Sequence, residues 1–120
     1  IRKNKVANMS FLNEIDHWNE NNDGELNASN LEKKLREKYK HRYFQYSMNP
    51  GWSIGNHTHQ ENKADAILTG HMEMIVLDSI NKQEKIFILN KGDILYLKAN
   101  LIHRARVTSS EECIFYDSFK

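Results

Sequence analysis

The sequence predicts a mainly β domain, either a sandwich or a barrel, that follows a short helical extension. From Gly51 to the end, short apolar segments alternate with polar breaks such as SINKQ, NKGD and TSSEE. This close spacing is typical of antiparallel β domains. Helical spacing of apolar residues is confined to the first 40 residues. The 120 residues suit one compact domain with a modest core.

Residues 1–42 are predicted to contain a loose basic arm and two helices that pack on the barrel. A first helix is predicted near residues 10–18, where apolar residues recur at three- and four-residue spacing: Phe11, Leu12, Ile15 and Trp18. A second is predicted over residues 29–40, with one apolar stripe made by Leu31, Leu35 and Tyr39. The Asn-rich segment between them partly matches an EF-hand loop, but Asn30 stands where a bidentate Glu is needed, so we interpret it as a connector.

Residues 43–120 are predicted to form the barrel. The first strand is RYFQYSM, which alternates around aromatic residues and ends at the turn Asn49-Pro50-Gly51. Seven more strands are predicted at about 54–60, 64–69, 71–78, 84–89, 94–97, 102–108 and 112–118. The segments HMEMIVLD and KIFILN, joined by a short polar turn, indicate a hairpin.

Composition excludes some classes of partner. The net charge of +1 provides no broad basic face for nucleic acid, and no apolar run is long enough to span a bilayer. The lone cysteine, Cys113, lies in the apolar run CIFY, which favours a buried free thiol in a reducing compartment. We therefore expect a cytoplasmic protein with no nucleic-acid or membrane partner.

Three histidines are candidates for metal ligands. His57 and His59 lie two residues apart in a predicted strand, and alternate strand residues point to the same face. Two neutral imidazoles need a further ligand to hold a divalent transition metal. His103, in the later segment LKANLIHRARV, is chemically suitable, although spacing alone does not show that the three meet. The other histidines are expected to be exposed or structural: His17, His41 and His71.

These residues resemble the two sequence motifs of the cupins, which are small jelly-roll barrels also described as double-stranded β-helices. The first cupin motif contains Gly, His-x-His, Glu and Gly, and its matching positions here are Gly51, His57, His59 and Gly70. In the second motif Gly92 and His103 match, whereas Lys98 and Asn100 stand where Pro and Gly are usual. The resemblance covers about residues 43–118 and implies that His57, His59 and His103 are the metal ligands.

The chief departure from the cupin pattern is Lys63, which stands where metal-binding cupins carry a ligating Glu. A protonated lysine cannot coordinate a metal, so three alternatives follow. The site is formed by three histidines while Lys63 turns away or binds an anionic substrate; or Asp65, of the same strand parity, substitutes for Glu; or metal is lost and the pocket binds only a ligand. We favour three histidines. The chain is most similar to a subgroup of uncharacterised small cupins with an HxHxxxK pattern.

The resemblance implies a small metal-binding protein, with iron, manganese, nickel or zinc as the divalent metal. We expect a metal-dependent enzyme, oxygenase- or isomerase-like, that acts on a small molecule; the alternative is a non-catalytic ligand-binding or sensing cupin. Besides the histidines, the candidate residues lining the site are Lys63, Asp65, Tyr96 and Trp52. The family resemblance also implies a homodimer.

Overall fold

The computed structural model describes residues 15–40, 42–78 and 80–120. Within these ranges the barrel strands are β1 Arg42–Met48, β2 Ser53–His57, β3 Lys63–Thr69, β4 Met72–Asp78, β5 Gln83–Leu89, β6 Ile94–Leu97, β7 His103–Val107 and β8 Cys113–Phe119. All eight predicted strands are confirmed, with boundaries that shift by at most a few residues.

The strands form two antiparallel sheets that face each other as a jelly roll. Sheet A has the order β1-β8-β3-β6, and sheet B has the order β2-β7-β4-β5. Strands alternate between buried and more exposed residues, so one side chain in two points between the sheets. The barrel core is made by both sheets and includes Ile67, Met74, Phe87, Leu95, Val107 and Phe115. The mainly β jelly-roll prediction is therefore confirmed.

The second predicted helix is confirmed and packs on the outer face of sheet A. A short helix, α1 Glu20–Asp23, precedes α2 Ala28–Lys34, which continues as a π-helical turn over Leu35–Tyr39. Leu31 and Leu35 are completely buried in a second apolar cluster with Ala64, Ala66, Ile94 and Tyr116 of sheet A. This cluster lies on the side of sheet A that faces away from the barrel interior.

The first predicted helix has a different outcome. Residues 10–14 lie outside the described residues, and residues 15–19 are not helical. Instead, Asp16 pairs with Ile94 through two backbone hydrogen bonds of 2.9 Å. Its carboxylate accepts hydrogen bonds from Lys34, Lys38 and Tyr39 at 3.3, 2.8 and 2.7 Å. Bonds to a sheet edge and to the second helix therefore determine the local backbone, although the apolar spacing resembled that of a helix.

The Asn-rich connector is held by hydrogen bonds within the chain. The side chain of Asn19 accepts a hydrogen bond from the backbone N–H of Asn21, which caps α1. Asp23 accepts a hydrogen bond of 2.9 Å from Lys34, so an internal cation already occupies its carboxylate. The described residues also include no helix that is long and apolar enough to cross a membrane.

Gly92 provides a test of how the connector docks on the barrel. Its φ is +85°, and an added Cβ would overlap the Cβ of Trp18. Gly92→Ala is therefore expected to lower the free energy of unfolding by about 3 kcal/mol, through backbone strain and overpacking together. Gly51→Ala is the matched control, because Gly51 has φ +86° but open space around it. We expect about 1 kcal/mol there from strain alone. Equal losses in denaturant unfolding would contradict this packing.

Candidate functional site

A β-bulge in β2 turns His57 into the barrel. Ile54 pairs with Ala105 of β7, and His57 pairs with His103, with a register shift between them. Three steps along β2, from Ile54 to His57, therefore span the same distance as two steps along β7, from Ala105 to His103. Without that extra residue, strict alternation from the inward Ile54 would send His57 outward. The bulge places His57 and His103 side by side, with ring centroids 4.3 Å apart.

His59 lies just beyond the end of β2, which stops at His57 rather than at residue 60. Its backbone carbonyl accepts a hydrogen bond of 2.8 Å from the backbone N–H of Asn100. Asn100 has φ +69°, a left-handed conformation that Asn tolerates better than most residues and that Gly adopts freely. Asn100 therefore fulfils the backbone role of the usual Gly in the second motif, and the turn holds His59 close to His103.

The hydrogen bonds of two imidazoles fix their tautomers. Nδ1 of His57 lies 2.8 Å from the carbonyl oxygen of Gly55, and Nδ1 of His103 lies 2.9 Å from that of Leu101. Because a carbonyl only accepts, each Nδ1 carries the proton, and each Nε2 of the neutral ring keeps its lone pair. Such outer contacts to backbone carbonyls are characteristic of metal-ligating histidines.

The three imidazoles fit a transition metal. One ring nitrogen from each of His57, His59 and His103 lies within 4.8 Å of the others. Nε2 of His59 and Nε2 of His103 are buried without a hydrogen-bond partner among the described residues. Burial lowers the pKa of His103 to about 4 and, aided by the charge of Lys63, also lowers the pKa of His59. Neutral, converging nitrogen donors are the ligands that such metals need.

A cavity of about 240 Å³ extends from the histidines between the two sheets. Its apolar walls include Tyr46, Met48, Trp52, Ile54, Met74 and Phe115. The two exposed lining residues, Tyr46 at 40% and Ile54 at 41%, belong to the edge strands β1 and β2, so the mouth lies on that side.

The lining residues expected from the sequence divide into two groups. Trp52, Lys63 and Asp65 line the cavity. Tyr96 instead points toward the helical side of sheet A, where its ring stacks on Tyr39 with centroids 6.4 Å apart. This corrects the expectation for Tyr96, and the reason is strand alternation: in β6, Leu95 and Leu97 are the residues that belong to the barrel core.

Lys63, Asp65 and Asp117 form a buried ion cluster in the cavity wall. Nζ of Lys63 lies 3.2 Å from Oδ1 of Asp65 and 3.2 Å from Oδ1 of Asp117. Lys63 and Asp65 are 4% and 1% exposed, respectively. Asp65 and Asp117 face each other across β3 and β8. Lys63 is therefore turned inward but paired within the chain.

The protonation of this cluster follows from its burial. Burial lowers the pKa of Lys63, but the two carboxylates outweigh that effect and raise it, so the lysine stays charged. Burial raises the pKa of Asp65 well above its usual range. Neither oxygen of Asp65 receives a well-aligned hydrogen bond from a described donor.

Asp117 was not singled out from the sequence. The signal that could have identified it is the alternation of CIFYDSF, in which Cys113, Phe115 and Asp117 share one parity. Cys113 and Phe115 are both buried in the barrel core, so the following residue of that parity also points inward. Cys113 itself is a free buried thiol, as expected, and burial raises its pKa to about 11.

The ion cluster makes a prediction about stability. Lys63→Met is expected to lower the free energy of unfolding of the metal-free protein by about 3 kcal/mol, because Asp65 and Asp117 lose their buried cation. Replacing Lys63 with Met and Asp65 with Leu together should recover part of that loss, because Asp117, which is 24% exposed, is then the one carboxylate of the cluster without its cation. The control is Lys91→Met, whose ion pair with Glu111 is exposed (58% and 56%), and we expect less than about 0.5 kcal/mol there. A Lys63→Met protein as stable as the parent would contradict the pairing.

Comparisons with known proteins agree with this architecture. No curated protein matches the sequence. A cupin superfamily protein from Desulfitobacterium hafniense is 15% identical, with a TM-score of 0.55 over 65% of this chain and 65% of that chain. The oxalate decarboxylase of Lactobacillus farciminis, solved as a formate complex, is 23% identical, with a TM-score of 0.59 over 65% of this chain and 23% of that chain. At these identities the likeness concerns the fold alone.

A third similar structure is Drosophila melanogaster CENP-C bound to CAL1, which is 9% identical with a TM-score of 0.62 over 65% of this chain. This chain spans 63% of that chain, which is less than two thirds of its length. A family model described as a cupin domain matches residues 44–119, which is more than half of the sequence. Together with the jelly-roll fold, this match shows that the chain belongs to the cupin family.

Proposed function

We propose that this cupin binds a divalent transition metal through His57, His59 and His103 and acts on a small molecule in the adjoining cavity. The observation that carries the proposal is the convergence of three imidazole nitrogens within 4.8 Å at a cavity of about 240 Å³. The buried Nε2 atoms of His59 and His103, which have no hydrogen-bond partner in the described part of the chain, support it, because buried polar atoms usually have a partner.

Each part of the site has a distinct role in this proposal. The carbonyls of Gly55 and Leu101 hold His57 and His103 in the tautomer that directs Nε2 inward. A bound iron, manganese, nickel or zinc would supply Lewis-acid chemistry or, for a redox-active ion, oxygenase chemistry. The apolar walls would exclude water from the bound molecule, and Asp65 would hold a proton beside the site.

The alternative is a ligand-binding cupin that performs no reaction. One observation favours it: the three ligand candidates include no carboxylate, because Lys63 stands at the family's usual Glu position. A cation near the site also opposes metal binding, although Asp65 and Asp117 offset its charge.

Metal content distinguishes the two functions. Elemental mass spectrometry measures the metal content of protein purified without added metal. The same measurement is made on protein reconstituted separately with iron, manganese, nickel or zinc. We expect about one ion per chain in the parent and at least a tenfold loss in a His57→Ala, His59→Ala double variant, which leaves one imidazole. His71→Ala is the control, because His71 is hydrogen-bonded to Thr108 and is not part of the triad. Absence of metal in the parent after reconstitution would exclude the metalloenzyme and favour the ligand-binding cupin.

We also infer a homodimer, which the family resemblance implies and one surface feature supports. Ile86 and Ile88 are 61% and 48% exposed on the outer face of β5, the edge strand of sheet B. We expect sedimentation equilibrium to show a dimer that an Ile86→Lys, Ile88→Lys variant dissociates. Ile80→Lys is the control, because Ile80 is 88% exposed but lies in the turn outside the strand. A monomeric parent would contradict the dimer.

A cytoplasmic location stays a prediction, supported by the free buried thiol of Cys113.

A further inference from the structure

We propose that the molecule bound in this cavity presents an uncharged, flat aromatic ring to the walls and leaves Lys63 paired within the protein. The proposal deepens the proposed function, on which it rests only for the direction of the ligand's polar end, toward the histidines. It is carried by the aromatic walls, by the internal neutralisation of Lys63 and by the size of the cavity.

Three aromatic side chains form one wall of the cavity near its mouth. Phe115 lies between the other two, with its ring centroid 5.8 Å from that of Tyr46 and 6.2 Å from that of Trp52. The interplanar angles are 31° and 37°, so the three rings pack against one another as one continuous aromatic surface. Tyr46 is 40% exposed, and Trp52 is partly buried, so both keep surface to offer a ligand. Such surfaces favour another ring at offset-stacking distance.

Methionine side chains extend the same apolar surface. Met48, Met72 and Met74 line the cavity with the aromatic residues. Thioethers are polarisable and make favourable contacts with aromatic rings, so they adapt to a flat ligand. The volume of about 240 Å³ is sufficient for one substituted ring, since a cavity of about 150 Å³ holds benzene.

The ion cluster provides no site for an anion. Nζ of Lys63 lies 3.2 Å from carboxylate oxygens of both Asp65 and Asp117, and the side chain is 5% exposed. With both carboxyl groups ionised, the cluster carries one negative charge; with one of them protonated, it is neutral. In neither state does Lys63 present a net positive charge to the cavity. The expectation that Lys63 binds an anionic substrate therefore receives no support. A negatively charged substituent on the ring would gain no binding free energy from this cluster.

The first test compares matched probes in metal-free protein, because a metal would attract anions by itself. Phenol and cyclohexanol have the same hydroxyl group on rings of similar size, while benzyl alcohol and benzoate differ chiefly in charge. We expect phenol to bind about tenfold more tightly than cyclohexanol, which corresponds to about 1.4 kcal/mol. Benzyl alcohol should bind more tightly than benzoate by a similar factor. Quenching of Trp52 fluorescence in a Trp18→Phe protein reports binding, and saturation-transfer NMR on the parent protein measures it independently.

The second test uses two aromatic residues of the same edge strand. Phe44 and Tyr46 are 51% and 40% exposed on β1, but only Tyr46 is among the residues that line the cavity. Tyr46→Ala is expected to weaken phenol binding by five- to tenfold, the equivalent of one stacking contact. Phe44→Ala should leave the affinity within about twofold, and both proteins should remain folded because both positions are exposed.

The results of these two tests distinguish a failure of the aromatic-ligand proposal from a failure of the metal-site proposal. Benzoate binding as tightly as benzyl alcohol, cyclohexanol binding as tightly as phenol, or equal effects of the two alanine variants would each overturn the aromatic ligand. Metal analysis of the same samples then shows whether the histidine site still functions. Phenol binding without any metal binding would leave the aromatic ligand in place and overturn the metalloenzyme.

Discussion

The site depends on the pairing of β2 with β7 and on the single extra residue that the bulge adds to β2. Main-chain hydrogen bonds fix the register in which His57 faces His103, and the bulge turns His57 to the inward face that His103 already occupies on β7. The same local backbone provides the carbonyl of Gly55 that holds the ring of His57. A shift of one residue in this pairing would separate the imidazoles and would also turn Ile54 away from the cavity. The position of the triad is thus a consequence of sheet geometry.

Much of the barrel could be predicted from the sequence because strand alternation is a local property. Polar breaks and apolar runs located all eight strands, and shared parity correctly predicted that Lys63 and Asp65 point the same way. The convergence of His57 and His59 was also anticipated, but for an incomplete reason. The strand ends at His57, and His59 is held instead by the turn at Asn100. Contacts between distant segments decide such details, and a single sequence does not encode them in a periodic pattern.

The expectations that the structure corrects share this cause. Residues 15–18 have helical spacing of apolar residues, yet Asp16 pairs with β6 and binds three side chains of the second helix region. Tyr96 lies in a correctly predicted strand, but on the opposite face from the one expected. In both cases the element or strand was recognisable, whereas the face that it presents was set by its partners. Asp117 is the opposite case, because the alternation within its own strand, β8, is sufficient to indicate an inward side chain.

Lys63, which stands where a ligating Glu is usual, changes the charge around the three imidazoles. A carboxylate at that position would have placed a negative charge beside the imidazoles, but here the charge is positive and two other carboxylates surround it. Neutral imidazoles contribute no charge to an ion that they hold, so a divalent metal in this triad would keep more of its positive charge than one with a Glu ligand. The adjacent cluster is neutral or carries one negative charge, and it cannot fully compensate for that charge. The polar end of a ligand would therefore be oriented by the metal, and its apolar body by the aromatic wall of the cavity.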